Sequence, residues 1–155
     1  MFENLPVERW FEDYVTGAVH ELGSVEVTEA ECIAFASRYD PQPIHVDPIG
    51  AAQSQFGGII ASGWMTGGLF MRMYVEQYLS HGTSIASPGI DEVRWPRPVR
   101  PGDTLRARVT VLGTRRSTSK PDRGVVHSGV EVLNQHGDVV MSFKAVNLVY
   151  CRERR

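Results

Sequence analysis

Beyond the polar break at Ser80, His81 and Gly82, apolar side chains recur at every second position and continue so to the end of the chain. Leu105, Ala107, Val109 and Val111 alternate strictly with Arg106, Arg108 and Thr110, the signature of a strand with one buried face. The same period predicts strands over residues 91–95, ending at Pro96, over 125–133 and over 139–150. Residues 134–138 (NQHGD) supply hairpin-turn chemistry between the last two.

Upstream the period changes. Ser62 is a good N-cap for a helix over residues 63–79, with small residues in its first turns and Leu69, Phe70, Met73 and Tyr74 after them. Its only charges before the C-terminal end are Arg72 and Glu76, so it is apolar nearly all round and is expected to be buried. Thr28 and Glu31 have the spacing of a capping box. The helix they open runs to about Arg38, with Ala30, Ile33, Ala34 and either Cys32 or Ala36 facing inward. Partial alternation over 18–27 predicts a first strand after an aromatic lead-in of Trp10, Phe11 and Tyr14. Asp47-Pro48 caps a short helix through Gln53. One buried helix followed by an antiparallel sheet is an α+β arrangement, best satisfied by a curved sheet wrapped around that helix.

Composition narrows the function classes. The 155 residues make one ordinary domain, spanning 1–155, with 42% hydrophobic and 22% charged residues and a net charge of −2. That balance lacks the basic excess of a nucleic-acid binder. The stretch 57–71 is too short for a membrane span and is interrupted by glycines. The N-terminus shows no signal-peptide pattern, and two cysteines, Cys32 and Cys151, are expected as free thiols, so a cytoplasmic protein is expected.

The candidate chemistry is concentrated between residues 39 and 73. Asp40 and His45 stand five residues apart with two prolines between them. Each X-Pro pair disfavours helix and stiffens the chain, which suits side chains that must hold position. Gly63 follows His45 by eighteen residues, at the predicted helix start. An acid, an imidazole and a helix-start amide can together move a proton and stabilise an oxyanion. Taken singly, Asp40 is a turn former, His45 a packed or solvated loop residue and Gly63 a packing glycine. Their joint spacing favours chemistry. Asp40, His45 and Asp47 also form a conceivable metal set, but no second histidine or cysteine pair accompanies them.

Residues 39–48 (YDPQPIHVDP) resemble the hydratase-2 signature of the MaoC-like dehydratases and (R)-specific enoyl-CoA hydratases. Residues 56–63 (FGGIIASG) and 94–105 (RWPRPVRPGDTL) are similar to that family's lead into its central helix and to its following strand and turn. The resemblance implies a single hot-dog domain with a short helical overhang carrying the catalytic loop. It implies a homodimer or higher homo-oligomer, and interconversion of 2-enoyl and (R)-3-hydroxyacyl thioesters of CoA or acyl carrier protein. No metal or organic cofactor is implied. Asp40 and His45 take the catalytic positions and Gly63 the oxyanion amide, with Gln42, Ser62, Gly58 and Trp64 around the substrate. Gln42 stands where the family has Asn, and Ser62 where it often has His.

The segment 115–124 is polar and carries four basic residues. It reads as a solvated hairpin loop, or as a loop from which Arg115 and Arg116, with Arg97 or Arg100, meet substrate phosphates. His20, His81, His127 and His136 read as solvated strand or turn positions. A thioesterase of the same fold and a non-catalytic acyl-thioester module remain alternatives.

Overall fold

A computed structural model describes residues 8–153, so residues 1–7, including the start of the N-terminal stretch, lie outside the described residues. Five antiparallel strands form one sheet: β1 (Val19–Glu26), β2 (Ser84–Arg94), β3 (Thr104–Arg116), β4 (Arg123–Leu133) and β5 (Val139–Tyr150). Their order across the sheet is β1-β3-β4-β5-β2. After a single 3-10 turn (Phe11–Asp13), four α-helices are described: α1 (Glu29–Tyr39), α2 (Pro43–Val46), α3 (Pro48–Gln53) and the long α4 (Gly63–Gln77).

The alternation in β3 is realised residue by residue. Leu105, Ala107, Val109 and Val111 face inward against α4, while Arg106 and Arg108 point out toward Glu21 and Glu131. The β4–β5 hairpin closes where Asn134 donates its amide to Asp138 O at 3.0 Å, and Gly137 takes the positive φ of 80° that the turn requires. Register shifts in every strand pairing supply the curvature that lets a sheet wrap around a helix.

The inner face of the sheet packs on Met65, Phe70, Met73, Tyr74 and Tyr78. Several polar groups inside this core are paired with one another. Tyr74 Oη donates to Asn147 Oδ1 at 2.6 Å, the Tyr78 and Ser128 hydroxyls lie 2.7 Å apart, and Tyr14 Oη donates to Tyr78 O at 2.9 Å. Paired groups of this kind fix the rotation of α4 without the penalty of an unsatisfied buried dipole.

Several expectations are corrected. α4 ends at Gln77, with Tyr78 as its C-cap, and is not buried all round: Trp64 and Met71 are exposed on one stripe. The inner side of α1 is Cys32 and Ala36, four residues apart, with Ile33 and Phe35 partly covered, whereas Ala30 and Ala34 face solvent. Thr28 accepts from Glu31 N at 3.2 Å as expected, but its hydroxyl donates to the Glu31 carboxylate, so the box is not reciprocal through the backbone. β2 begins at Ser84, well before residue 91, because an edge strand exposed on both sides shows no alternation to read. Arg115 and Arg116 belong to β3 itself and not to a loop. His20 is half-buried, edge-on to Tyr78 at 5.2 Å, with a buried Nε2 that finds no partner, so it is not a solvated strand position.

Candidate active site

Asp40 is the C-cap of α1, held outside helical geometry at φ −153° and ψ 66° as a residue before proline should be. Pro43 then opens α2 at its first position, where a missing N–H costs nothing. Sequence reading treated this stretch as a loop. The single turn of α2 had no period long enough to detect, yet it carries His45 inward to 5% exposure.

Two backbone bonds fix the neighbourhood. Ile60 N donates to Ile44 O at 3.1 Å, and Ala61 N donates to Val99 O at 2.8 Å. The extended stretch between α3 and α4 is thereby tied to α2 on one side and to the segment before β3 on the other. His45 Nδ1 lies 2.7 Å from Ile60 O. A carbonyl can only accept, so Nδ1 carries the hydrogen and Nε2 is turned toward the acid.

That acid is Asp40, whose Oδ2 is 3.3 Å from His45 Nε2. The same oxygen accepts the Ser62 hydroxyl at 2.7 Å, and Oδ1 accepts Gln42 Nε2 at 2.7 Å. Gln42 first and Ser62 second hold the Asp40 carboxyl below its ordinary pKa of 3.8, against the opposing effect of burial. Asp40 is therefore a carboxylate at neutral pH. With Nδ1–H committed to Ile60, a direct Nε2–Oδ2 bond requires a proton between the two atoms.

Gly63 is the first residue of α4, and its amide has no acceptor among the described residues. Ser62 caps the helix by accepting Trp64 N at 3.3 Å, and Met65 N and Thr66 N both turn back to Ser62 O. The amide of Gly63 is thus left free at the positive end of a fifteen-residue helix. A glycine is required here by a neighbour: an added Cβ would meet the Trp95 indole at 2.5–2.6 Å. Trp95 lies against Gly63 and donates its Nε1–H to Gly63 O at 3.1 Å.

Asp40, His45 and Gly63 all line one cavity of about 450 Å³. Its other walls are mostly apolar, from Phe56, Ile60, Trp64, Trp95 and Val99, with Arg97 as a cation near Asp138 at 3.8 Å. Among the remaining expected site residues, Trp64 lines the cavity directly. Gln42 and Ser62 reach it through Asp40. Gly58 is not among the lining residues. Arg115 and Arg116 sit at the opposite end of β3 from Thr104, and Arg116 donates to the carbonyls of Pro121 and Glu153. Asp47 is occupied in capping α3 through Ile49 N at 3.1 Å. Trp95 went unrecognised because nothing in its local sequence marks a contact with a residue thirty-two positions earlier.

A family model for the MaoC-like domain matches residues 14–134. A 3-hydroxyacyl-thioester dehydratase of Mycobacterium tuberculosis is 36% identical over 125 residues, covering 77% of this chain and 83% of that protein. The crystal structure of a MaoC-like dehydratase from Rhodospirillum rubrum superposes with a TM-score of 0.87 at 38% identity, over 94% of this chain and 99% of the other. A Mycobacterium tuberculosis protein with a double hotdog fold superposes at 0.82 and 18% identity, over 95% of this chain and 46% of its own. The curved sheet around α4 is therefore a hot-dog fold.

Proposed function

Because the chain belongs to the MaoC-like domain family, we propose that it interconverts trans-2-enoyl and (R)-3-hydroxyacyl thioesters, acyl-CoA above all, using Asp40, His45 and Gly63. The observation that carries this reading is that a carboxylate, an imidazole of fixed tautomer and a free helix-start amide face one cavity. A dehydratase of acyl thioesters among the relatives supports the reaction class.

In hydration, Asp40 and His45 hold one water. Asp40 takes a proton from it as the water oxygen bonds to C3. The C2–C3 π pair moves toward the thioester, and its oxygen takes up the developing charge against the Gly63 amide. His45, carrying a hydrogen on Nε2 as well as on Nδ1 in the reacting state, gives its Nε2 proton to C2 from the same side, which makes the addition syn, and the proton gained by Asp40 passes across the Oδ2–Nε2 contact to restore both groups. Dehydration runs the same steps backward. General acid–base assistance of this sort is worth roughly 10² to 10⁴ in rate. The oxyanion donor contributes about 3–4 kcal/mol. A mostly apolar, half-enclosed cavity strengthens both effects by limiting water.

Assembly as a homodimer fits the same molecule. β2 is an edge strand with its residues exposed, and Ile90 on it adjoins a second, apolar cavity of about 330 Å³ against the exposed stripe of α4. A second copy pairing β2 to β2 would cover that face. No helix among the described residues is long and apolar enough to cross a membrane.

The test is loss of enoyl absorbance with crotonyl-CoA and longer 2-enoyl-CoA esters, with free thiol followed in parallel. Hydration without thiol release is expected, and Asp40→Asn and His45→Ala are expected to be folded and inactive. Thiol release would instead indicate a thioesterase, and binding without either signal a non-catalytic module. Full activity in either variant would sink the assignment.

A further inference from the structure

We propose that Asn147 makes this protein selective for acyl chains that carry a second oxygen remote from the thioester. The hollow of about 330 Å³ beside the Asp40–His45 cavity is a trough between α4 and β5. Trp64 belongs to the walls of both, so the trough begins where the cavity ends. Two adjacent glycines weaken a helix, but here they hollow the near end of the trough. A methyl on Gly68 would meet nothing within 4 Å, and one on Gly67 would reach Met141 Cε at 3.4 Å. The floor is the inward row of β5, Met141, Phe143 and Ala145, which ends at Asn147. Asn147 is 5% exposed, and Tyr74 is the one partner its side chain finds among the described residues, Tyr74 Oη donating to its Oδ1 at 2.6 Å. The Nδ2 hydrogens are left over. Among the described residues the side-chain atoms sealed in packed protein without a partner are His20 Nε2 and Glu76 Oε2, so Asn147 Nδ2 is not sealed and opens on the trough it lines. The hydroxyl of Ser87, also in the wall, is spent on the backbone of Gly89.

An unpaired donor in an apolar trough is unfavourable when hydrocarbon lies against it and favourable when an acceptor does. This inference rests on the thioester reading, in which the carbonyl oxygen sits at the Gly63 amide. The acyl chain then runs on along the stripe of Trp64, Gly67, Gly68 and Met71, which share one face of α4. Tyr74 comes eleven residues after Gly63, about 16 Å along the helix axis. Its ring leans back toward the helix start, so its hydroxyl and the Asn147 amide lie nearer than that. An extended chain advances about 3.5 Å for every three bonds, which places the selected oxygen roughly eight to fourteen bonds from the thioester carbon. It is thus a different atom from the oxygen that Asp40 and His45 handle at C3. A ketone, which only accepts, is the group that the amide hydrogens suit best.

The experiment measures binding of saturated acyl-CoA esters to the wild-type protein by calorimetry, which needs no turnover. Straight chains of roughly eight to sixteen carbons are compared in pairs, one plain and one with a ketone at the penultimate carbon. The ketone is expected to bind roughly tenfold tighter at one or two neighbouring lengths, and no tighter at the others, where its carbonyl is buried unpaired. Asn147→Leu together with Tyr74→Phe removes the donor and its partner at once and leaves neither unsatisfied. That pair should abolish the preference while plain esters bind at least as well, which also shows that the variant is folded. Tyr74→Phe alone should retain the preference. Equal affinities at every length in the wild-type protein, as a side chain of a second copy filling the trough would produce, overturn the proposal. So does a preference that survives the double substitution. Turnover of crotonyl-CoA by the wild-type protein is scored separately. Absent turnover with an Asn147-dependent preference would reject only the hydratase reading, whereas turnover without such a preference would reject only this one.

Discussion

The Ser62 hydroxyl donates to Asp40 Oδ2 at 2.7 Å while its oxygen caps α4 through Trp64 N. One buried side chain therefore joins the proposed base to the element that presents the Gly63 amide. Ser62 was expected around the substrate; both hydrogen bonds of its side chain are within the protein, and we propose that it positions Asp40.

Ser62→Ala is expected to act on both ends. Loss of the cap should cost about 1 kcal/mol of stability, read from denaturant unfolding. Loss of the donor should let the Asp40 pKa rise toward its ordinary value, moving the acid limb of kcat/KM to higher pH. An unmoved acid limb would separate Ser62 from the chemistry.

Gln42 makes the larger contribution to holding Asp40 ionised, through a side-chain bond exposed to solvent. Gln42→Ala should therefore shift the acid limb upward by more than Ser62→Ala does, with KM nearly unchanged because Gln42 does not line the cavity. Direct titration of the Asp40 carboxyl by NMR checks the order of the two effects. The folded-state value is depressed, so its stabilising contribution is present above about pH 3.8 and is lost as pH falls through the lower folded value.

Gly63→Ala places a methyl against the Trp95 ring. Overpacking of this kind costs roughly 1–3 kcal/mol. If the indole is what excludes the methyl, Gly63→Ala combined with Trp95→Ala should lose less stability than the two single losses added together. Strict additivity would place the requirement for glycine elsewhere.

His20 should give the protein a pH-sensitive stability distinct from that of the site. Burial, with help from Arg9, lowers its pKa below the usual 6.5. The unfolded chain then takes up a proton near pH 6.5, before the folded chain does. Stability is full above that pH and declines as pH falls from about 6.5 through the folded value. His20→Phe, which replaces an imidazole whose Nε2 has no partner, should flatten the thermal midpoint between about pH 6.5 and 5. A midpoint that still falls over that interval would assign the effect to another group.

The sheet was legible because burial on one face writes a period of two into β3, β4 and β5, and the hairpin turn at 134–138 marks itself by residue type. α4 was legible from its cap and its apolar content, but its exposed stripe was not, since an apolar residue facing a neighbouring surface looks the same in sequence as one facing a core. The Asp40, His45 and Gly63 set was read from spacing. What held it was not: the Ile60 carbonyl that orients His45 and the Trp95 ring on Gly63 come from segments distant along the chain, brought there by backbone bonds that leave no residue preference behind. Arg115 and Arg116 were misplaced for the reverse reason. A polar run signals exposure, and exposed residues at a strand end satisfy it as well as those in a loop.

Trp64, 62% exposed, stands between two hollows and forms part of the wall of each. Its ring meets Trp95 edge-on at 5.3 Å on one side and borders the apolar surface beside β2 on the other. The two hollows thus share one wall, so any ligand or subunit that displaced this indole would reshape the chamber behind it without touching either acid or imidazole.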